Sequence, residues 1–323
     1  MHEAQVVFML QNLGVARRIS WDARRGAKEQ KQMTAIEPFL NRLIDYAGLF
    51  PPAGLDMLPS TRNYASYRSG KYAWALGRLI VPVARLTEFS AALTEVGSDE
   101  QLTPWLLGTL STGDAQQDAR LISGLDKRVA VVDVLECKAA SLAEVHKLLS
   151  AAPPKATLYV EFPLENCRQM LPVLKEGNAR AKIRTGGVTA DAIPSVEQVA
   201  EFLAACAEAK VPFKATAGLH HPLRSVQKLT YEPGSASALM HGFINVFVAA
   251  IMAYYGATKE EILAILHEHD PAAFHWSRHA VAWRDQQLSA EQIREARENF
   301  AIGLGSCSFT EPIADLLDLG WLS

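Results

Sequence analysis

Two short stretches put charge where a strand should be apolar. AKIRTGG, residues 181–187, sets Lys182 and Arg184 ahead of a Gly-Gly pair, and FKATAG, residues 213–218, sets Lys214 ahead of Thr216 and Gly218. Side chains alternate along a strand, so Lys182 and Arg184 share one face and leave Ala181, Ile183 and Thr185 on the other. The same parity groups Lys214 with Thr216 and Gly218, and Tyr159 with Glu161 in LYVEF (158–162). Burying such charges costs several kcal/mol each unless they are paired or reach solvent. They are therefore expected to converge near an open end of the fold. Against Glu161 alone, three cations leave a positive surplus, and a surplus asks for an anionic ligand. The alternative is a structural cluster in which Glu161 neutralises Lys182 or Lys214 and no catalysis occurs.

The residue types suit definite chemistry. Arg184 fits a bidentate grip on carboxylate or phosphate, and the Thr185-Gly186-Gly187 turn offers backbone N–H groups. A lysine beside another cation in a partly dry site has a depressed pKa and can form an imine with a carbonyl, a role open to Lys182 or Lys214, with Glu161 or His220 moving protons. His220 and His221 follow the Gly218-Leu219 turn, and His241 precedes an apolar helix; with Glu161 or Asp133 they form a candidate divalent-metal set, although these three histidines show no HxH or HExxH spacing. Acid–base work or a structural role are the other readings of these histidines.

GLGSCSFTEP, residues 303–312, has the form of a strand end leading into a helix. Ser308 with Glu311 three residues on makes a capping-box spacing, and the turn Gly305, Ser306, Ser308 is either a phosphate cradle or a plain helix cap. Cys307 reads first as a small buried thiol. DYAGLFPPAG carries Asp45 and Tyr46 and reads as a packed N-terminal plug in preference to a lid.

The elements that must hold these residues alternate short β-branched runs with amphipathic segments from residue 78 onward. Candidate strands are 78–84, 104–110, 128–136, 157–163, 181–186 and 212–218, followed by an ambiguous seventh in FHWSRHAVAW (274–283) and a last one at 299–306. Eight strands make an α/β (β/α)8 TIM-like barrel the first choice, with an open doubly wound parallel sheet as the alternative. Residues 34–75 read as an N-terminal helical extension, 34–323 as one barrel domain, and 1–33 as a flexible extension with Met33 as an alternative start. In a barrel, Lys182, Lys214 and Glu161 would face the interior at the C-terminal mouth.

Bulk properties agree. With 323 residues, 49% hydrophobic and 21% charged, the chain is long enough for a large core. A net charge of −3 gives no basic footprint for nucleic acid. The longest apolar run, 242–256, is shorter than a bilayer span of about 20 residues and contains Asn245, which argues for a buried helix and no membrane partner. That helix is either core or a homo-oligomer interface. Four scattered cysteines without CxxC spacing suit a reducing cytoplasm.

The lysines on two successive strands resemble the class I aldolases of deoxyribose-phosphate type, in which one such lysine forms the Schiff base and the other lowers its pKa. LHHP (219–222) departs from that family. LIDYAGLFPPA, KIRTGG, FKATAGLHHPLR, HGFINV and GSCSFTEPIADLLDLG together resemble a set of bacterial proteins without an assigned activity. The leading expectation is a lyase of aldolase type acting on a small anionic carbonyl metabolite through a lysine imine and needing no cofactor. A metal-dependent lyase, isomerase or hydrolase and a non-catalytic anion-binding protein are the alternatives.

Overall fold

The computed structural model describes residues 34–97, 104–153 and 155–323, so the expected extension 1–33 lies outside the described residues. Eight parallel strands close into a barrel. They are β1 (Ile44–Tyr46), β2 (Leu76–Pro82), β3 (Trp105–Leu110), β4 (Ala130–Lys138), β5 (Thr157–Glu161), β6 (Arg180–Arg184), β7 (Phe213–Thr216) and, last in the chain, β13 (Ala301–Ser306). Closure comes from β1, which pairs with β2 on one side and β13 on the other. The barrel expectation holds, and the open sheet is excluded.

Helices α1 (Ile36–Leu40), α2 (Met57–Ser69), α3 (Leu86–Val96), α4 (Ala115–Ser123), α5 (Leu142–Ala151), α6 (Cys167–Glu176) and α7 (Val196–Ala209) precede or connect the first seven strands. Their apolar faces cover the barrel: α7 buries Val199, Ala200, Phe202, Leu203 and Cys206 at helical spacing and opens with the Ser195–Gln198 capping box read from the sequence. Between β7 and β13 the alternation is interrupted by a hairpin, β8 (Ser225–Lys228) and β9 (Ser237–Met240), and by α8 (Phe243–Tyr254) and α9 (Lys259–His267). A three-stranded antiparallel sheet, β10 (Phe274–Trp276), β11 (Ala280–Trp283) and β12 (Gln286–Ser289), and α10 (Ala290–Asn299) follow; α11 (Thr310–Asp318) comes after β13. Among the described residues no helix is long and apolar enough to cross a membrane.

Two expectations are corrected. FHWSRHAVAW is not a barrel strand, because the Ser277 hydroxyl accepts from the N–H groups of His279 and Ala280, turning the run back on itself as the β10–β11 hairpin. The missing strand is instead IDY, inside the segment read as a helical extension: three residues, all buried, too short to show an alternating pattern. The apolar run 242–256 is core, since α8 packs on α7, α9, α10 and β13. Its Asn245 is fully buried and satisfied, accepting from Arg224 N–H at 2.9 Å and donating to the carbonyls of Ile265 and Glu268 at 2.8 Å each.

The glycines after the charged strands answer to crowding. The turns after β6 and β7 touch, so that a Cβ on Gly186 would lie 2.8 Å from Gly218 Cα, and Gly218 has φ +74°. Thr185 fastens the same contact by donating its hydroxyl to the Ala217 carbonyl at 2.7 Å. Gly218→Ala should therefore destabilise the fold by about 2 kcal/mol through left-handed strain and backbone overlap, checked by thermal unfolding; an unchanged melting temperature would show that the two turns can separate freely.

Candidate active site

Interior side chains of the barrel form one line of alternating charge. Starting near the N-terminal strand ends, Asp133 of β4 takes a bidentate pair of bonds from Arg78 of β2, both 2.7 Å. Arg78 in turn offers its backbone N–H to Asp45 Oδ1 at 2.7 Å. Asp45 Oδ2 accepts from Lys214 Nζ at 2.7 Å, and the same ammonium donates to Glu136 Oε1 at 2.6 Å. Glu136 Oε2 lies 2.8 Å from Lys182 Nζ, which is 3.0 Å from Glu161 Oε2. Glu161 Oε1 finally faces Arg184 at 3.6 Å and Lys138 at 3.7 Å.

Strand register explains the convergence. Glu161 stands opposite Lys182 across β5–β6, and Lys182 opposite Lys214 across β6–β7. Room for the cluster comes from absent side chains. Gly303 and Gly305 of β13 face Lys214 and Thr216, and a Cβ on Gly77 would meet Asp45 Oδ1 at 2.3 Å. Tyr159 accepts from Arg180 at 2.9 Å and sets its ring 5.7 Å from Lys214 Nζ.

The electrostatics follow from this ordering. Burial alone would push the Glu136 carboxyl up, but the ammonium groups of Lys214 and Lys182 outweigh it and hold the group at about 2. Burial would likewise lower Lys214, yet Asp45 and Glu136 raise it above the ordinary lysine range. The Glu161 carboxyl, also opposed by burial, is held low by Lys182, Arg184 and Lys138. Two expectations thereby change. Lys182, Lys214 and Arg184 are matched by Asp45, Glu136 and Glu161, so there is no positive surplus in the barrel. Nor is Lys214 an amine with a depressed pKa.

Lys182 and Lys214 form the floor of a cavity of about 280 Å³ at the C-terminal mouth, with Arg184, Gly187, Thr216, Gly305, His220 and Cys307 on its walls. Phe50 and Pro51 line it too, so DYAGLFPPAG is a wall of the mouth and not a plug. A larger cleft of about 740 Å³ opens at the N-terminal strand ends beside Arg78, Asp133 and Arg297. Its carboxylate Asp133 is spent on Arg78, and the buried Arg297 donates to the carbonyls of Phe39, Asn41 and Ala301, which is structural work.

The other anticipated residues separate. His220 Nδ1 is 3.2 Å from Ser306 Oγ and 3.3 Å from Glu311 Oε2, His221 pairs with Asp315 at 2.6 Å, and His241 Nε2 meets the Pro194 carbonyl at 2.8 Å. Three histidines on three different partners, with Glu161 among the lysines and Asp133 on Arg78, do not form a metal set. Among the described residues no group of three His, Cys, Asp or Glu side chains is placed to hold an ion. Thr185 and Gly186 are absorbed by the turn contact with Gly218. Ser308 caps α11 by accepting the Glu311 N–H at 3.1 Å, and Ser306 accepts the Ser308 N–H at 3.3 Å. Two N–H groups of the expected phosphate cradle are thus met by the chain's own hydroxyls. Sequence reading missed Glu136, though an acid closing an apolar run at a strand end was a signal, and it assigned Asp45 to the wrong element.

Glu136 is a buried carboxylate between two ammonium groups, so Glu136→Gln should cost about 3–5 kcal/mol. Its folded-state pKa lies below the ordinary carboxyl value of 4.5, so its stabilisation is complete above that value and is lost as pH falls toward about 2. Thermal melts of both proteins from pH 7 to 2.5 should show a decline below pH about 4.5 that is shallower in the variant; parallel acid limbs would assign the loss to other groups.

No protein-family model and no curated protein matches the chain. Among solved structures it is similar to the tetrameric deoxyribose phosphate aldolase from Aeropyrum pernix, with a TM-score of 0.46 and 11% identity over 87% of this chain and 93% of that one. At that identity and that score, no argument about chemistry rests on the likeness.

Proposed function

We propose that this chain is a lyase of aldolase type that acts on a small carbonyl compound through an imine at Lys182. The observation that carries the reading is the pair of buried lysines sharing Glu136 at the floor of the mouth cavity, each with a further carboxylate of its own. Lys214 is committed as a cation by Asp45 and Glu136. Lys182 can pass its proton to Glu161 Oε2, 3.0 Å away, without changing the net charge of the line. That oxygen is buried and has no aligned hydrogen-bond donor, so it is free to receive it.

The amine of Lys182 then adds to the substrate carbonyl. Glu161 returns the proton to the departing hydroxyl, water leaves, and an iminium stands beside the ionised Glu161. Cleavage of the bond between the α and β carbons sends its electron pair into the iminium, while the β-hydroxyl gives its proton to Glu161. Glu136 and Lys214 keep their charges throughout and fix the geometry. Cys307 and Glu311 raise His220 to about 9 against the opposing effect of burial, so the imidazolium is favoured once the ring has taken up a proton. Arg184, half-exposed at the rim, is the group offered to a substrate carboxylate or phosphate.

Incubation with a panel of small aldehydes, ketones and keto acids under cyanoborohydride should give a covalent adduct on the peptide containing Lys182, abolished in Lys182→Arg. An adduct confined to Lys214, or reversible binding with no adduct from any compound, would sink the assignment. For an anionic substrate found in this way, Arg184→Ala should raise KM by roughly 10-fold or more with a smaller change in kcat, consistent with loss of a charge-assisted bond; equal KM values would place the anion elsewhere.

A further inference from the structure

We propose that Cys307 is the nucleophile of a second covalent site in the same cavity, taking small α,β-unsaturated aldehydes or ketones, with His220 accepting the thiol proton and Glu311 holding the imidazole. The inference stands on side chains that the imine chemistry does not use for bond formation. Cys307 follows β13 and lines the cavity; Cys137, Cys167 and Cys206 do not. Its Sγ lies 3.9 Å from His220 Nε2. The other ring nitrogen, Nδ1, faces Glu311 Oε2 at 3.3 Å and Ser306 Oγ at 3.2 Å, which leaves Nε2 for the thiol. Tyr231, from the turn of the β8–β9 hairpin, fixes the carboxylate by donating to Glu311 Oε2 at 2.8 Å and sets its hydroxyl 3.7 Å from Sγ. Sγ also lies 4.0 Å from Nδ1, so thiol, imidazole and carboxylate form one contact group in which the imidazole can take the thiol proton.

The groups facing this thiol come from several elements. His220 arrives from the loop after β7, Tyr231 from the hairpin, Glu311 from α11 and Tyr46 from β1, while His221 is held off by Asp315. The remaining wall of the cavity near it is apolar, with Ile80, Leu110, Phe50 and Val188. A short, uncharged, soft electrophile suits such a wall, and a thiolate prefers the conjugated carbon of an enone to its carbonyl. In the step, the thiol proton passes to Nε2, and Sγ bonds to the β carbon. The alkene π pair moves to the α carbon, which takes the proton back from Nε2. Nothing leaves, and no oxidant or reductant is required.

The test is the rate at which each cysteine of the folded chain is alkylated by 3-buten-2-one between pH 5.5 and 9, read by peptide mass spectrometry. Cys307 should react first, ahead of Cys137, Cys167 and Cys206. His220→Asn should slow it by at least about 10-fold at pH 6, and Glu311→Gln by a smaller factor, with melting curves confirming that both fold. Lys182→Arg should leave the Cys307 rate unchanged, which separates this site from the imine reading. Cys307 reacting no faster than Cys137, or with the same pH dependence with and without His220, overturns the proposal. Should His220→Asn not fold, the wild-type rates decide alone: Cys307 reacting at pH 6 no faster than each of the other three cysteines overturns it as well.

Discussion

Eight buried or half-buried ionic side chains in alternating order run through this barrel from Asp133 to Arg184, and the rest of the structure is arranged around keeping that order unbroken. An isolated ion in such an interior would cost several kcal/mol, and only opposite neighbours on both sides offset it. The constraint reaches into the backbone. A slip of one residue in β6 against β7 would turn Lys182 or Lys214 outward into the helical layer and leave Glu136 alone between strands. Glycines 77 and 305 stand where a side chain would press on Asp45 or Thr216, so the small residues and the charges form one design.

The line is anchored unequally at its ends. At the bottom, Arg78 and Asp133 meet in a two-bond fork that fixes both planes. Toward the mouth the contacts loosen: Glu161 is 3.0 Å from Lys182 but 3.6 and 3.7 Å from its two rim cations, which are largely in water. Proton movement is therefore least costly at the Lys182–Glu161 end, where one transfer leaves both immediate neighbours with their charges. Lys214, gripped by two carboxylates at 2.6 and 2.7 Å, is the more tightly held of the two lysines. Two lysines with the same parity on adjacent strands are thus made chemically unequal by their partners.

This inequality marks the limit of what the sequence could tell. Parity alone brought Lys182, Lys214, Tyr159 and Glu161 to one interior face, and the structure places them there. Asp45 sits in a strand of three residues, below the length at which alternation is visible, and its partner Lys214 is 169 positions away. Glu136 closes the run read as a strand, a position that marked the acid out without saying whether it faced the barrel or a loop. With both acids overlooked, the cluster looked cationic, and an anion was invoked to balance it. The turns after β6 and β13 were read as ligand cradles for a related reason: glycine and serine spacing does not reveal whether a free N–H is met by a guest or by the chain itself. After β13 the Ser306 and Ser308 hydroxyls meet it, accepting from the N–H groups of Ser308 and Glu311.

The irregular stretch between β7 and β13 follows the same logic from the other direction. The regular strand–helix units supply the charges, because register fixes residues that lie on neighbouring strands. They bring His220, after β7, to Glu311, on the helix after the neighbouring β13, whereas Tyr231 reaches Glu311 from the inserted hairpin that folds back over the mouth. Asn245 joins that insertion to the core, bonding the end of the β7–β8 loop to the carbonyls at the close of α9. A buried amide with every hydrogen bond filled is costly to disturb, so it holds the hairpin in one place over the cavity. The mouth accordingly joins two constructions of different origin: the lysine floor with Cys307 and His220, set by neighbouring barrel strands, and Tyr231 above them, carried by the insertion that one buried asparagine fastens.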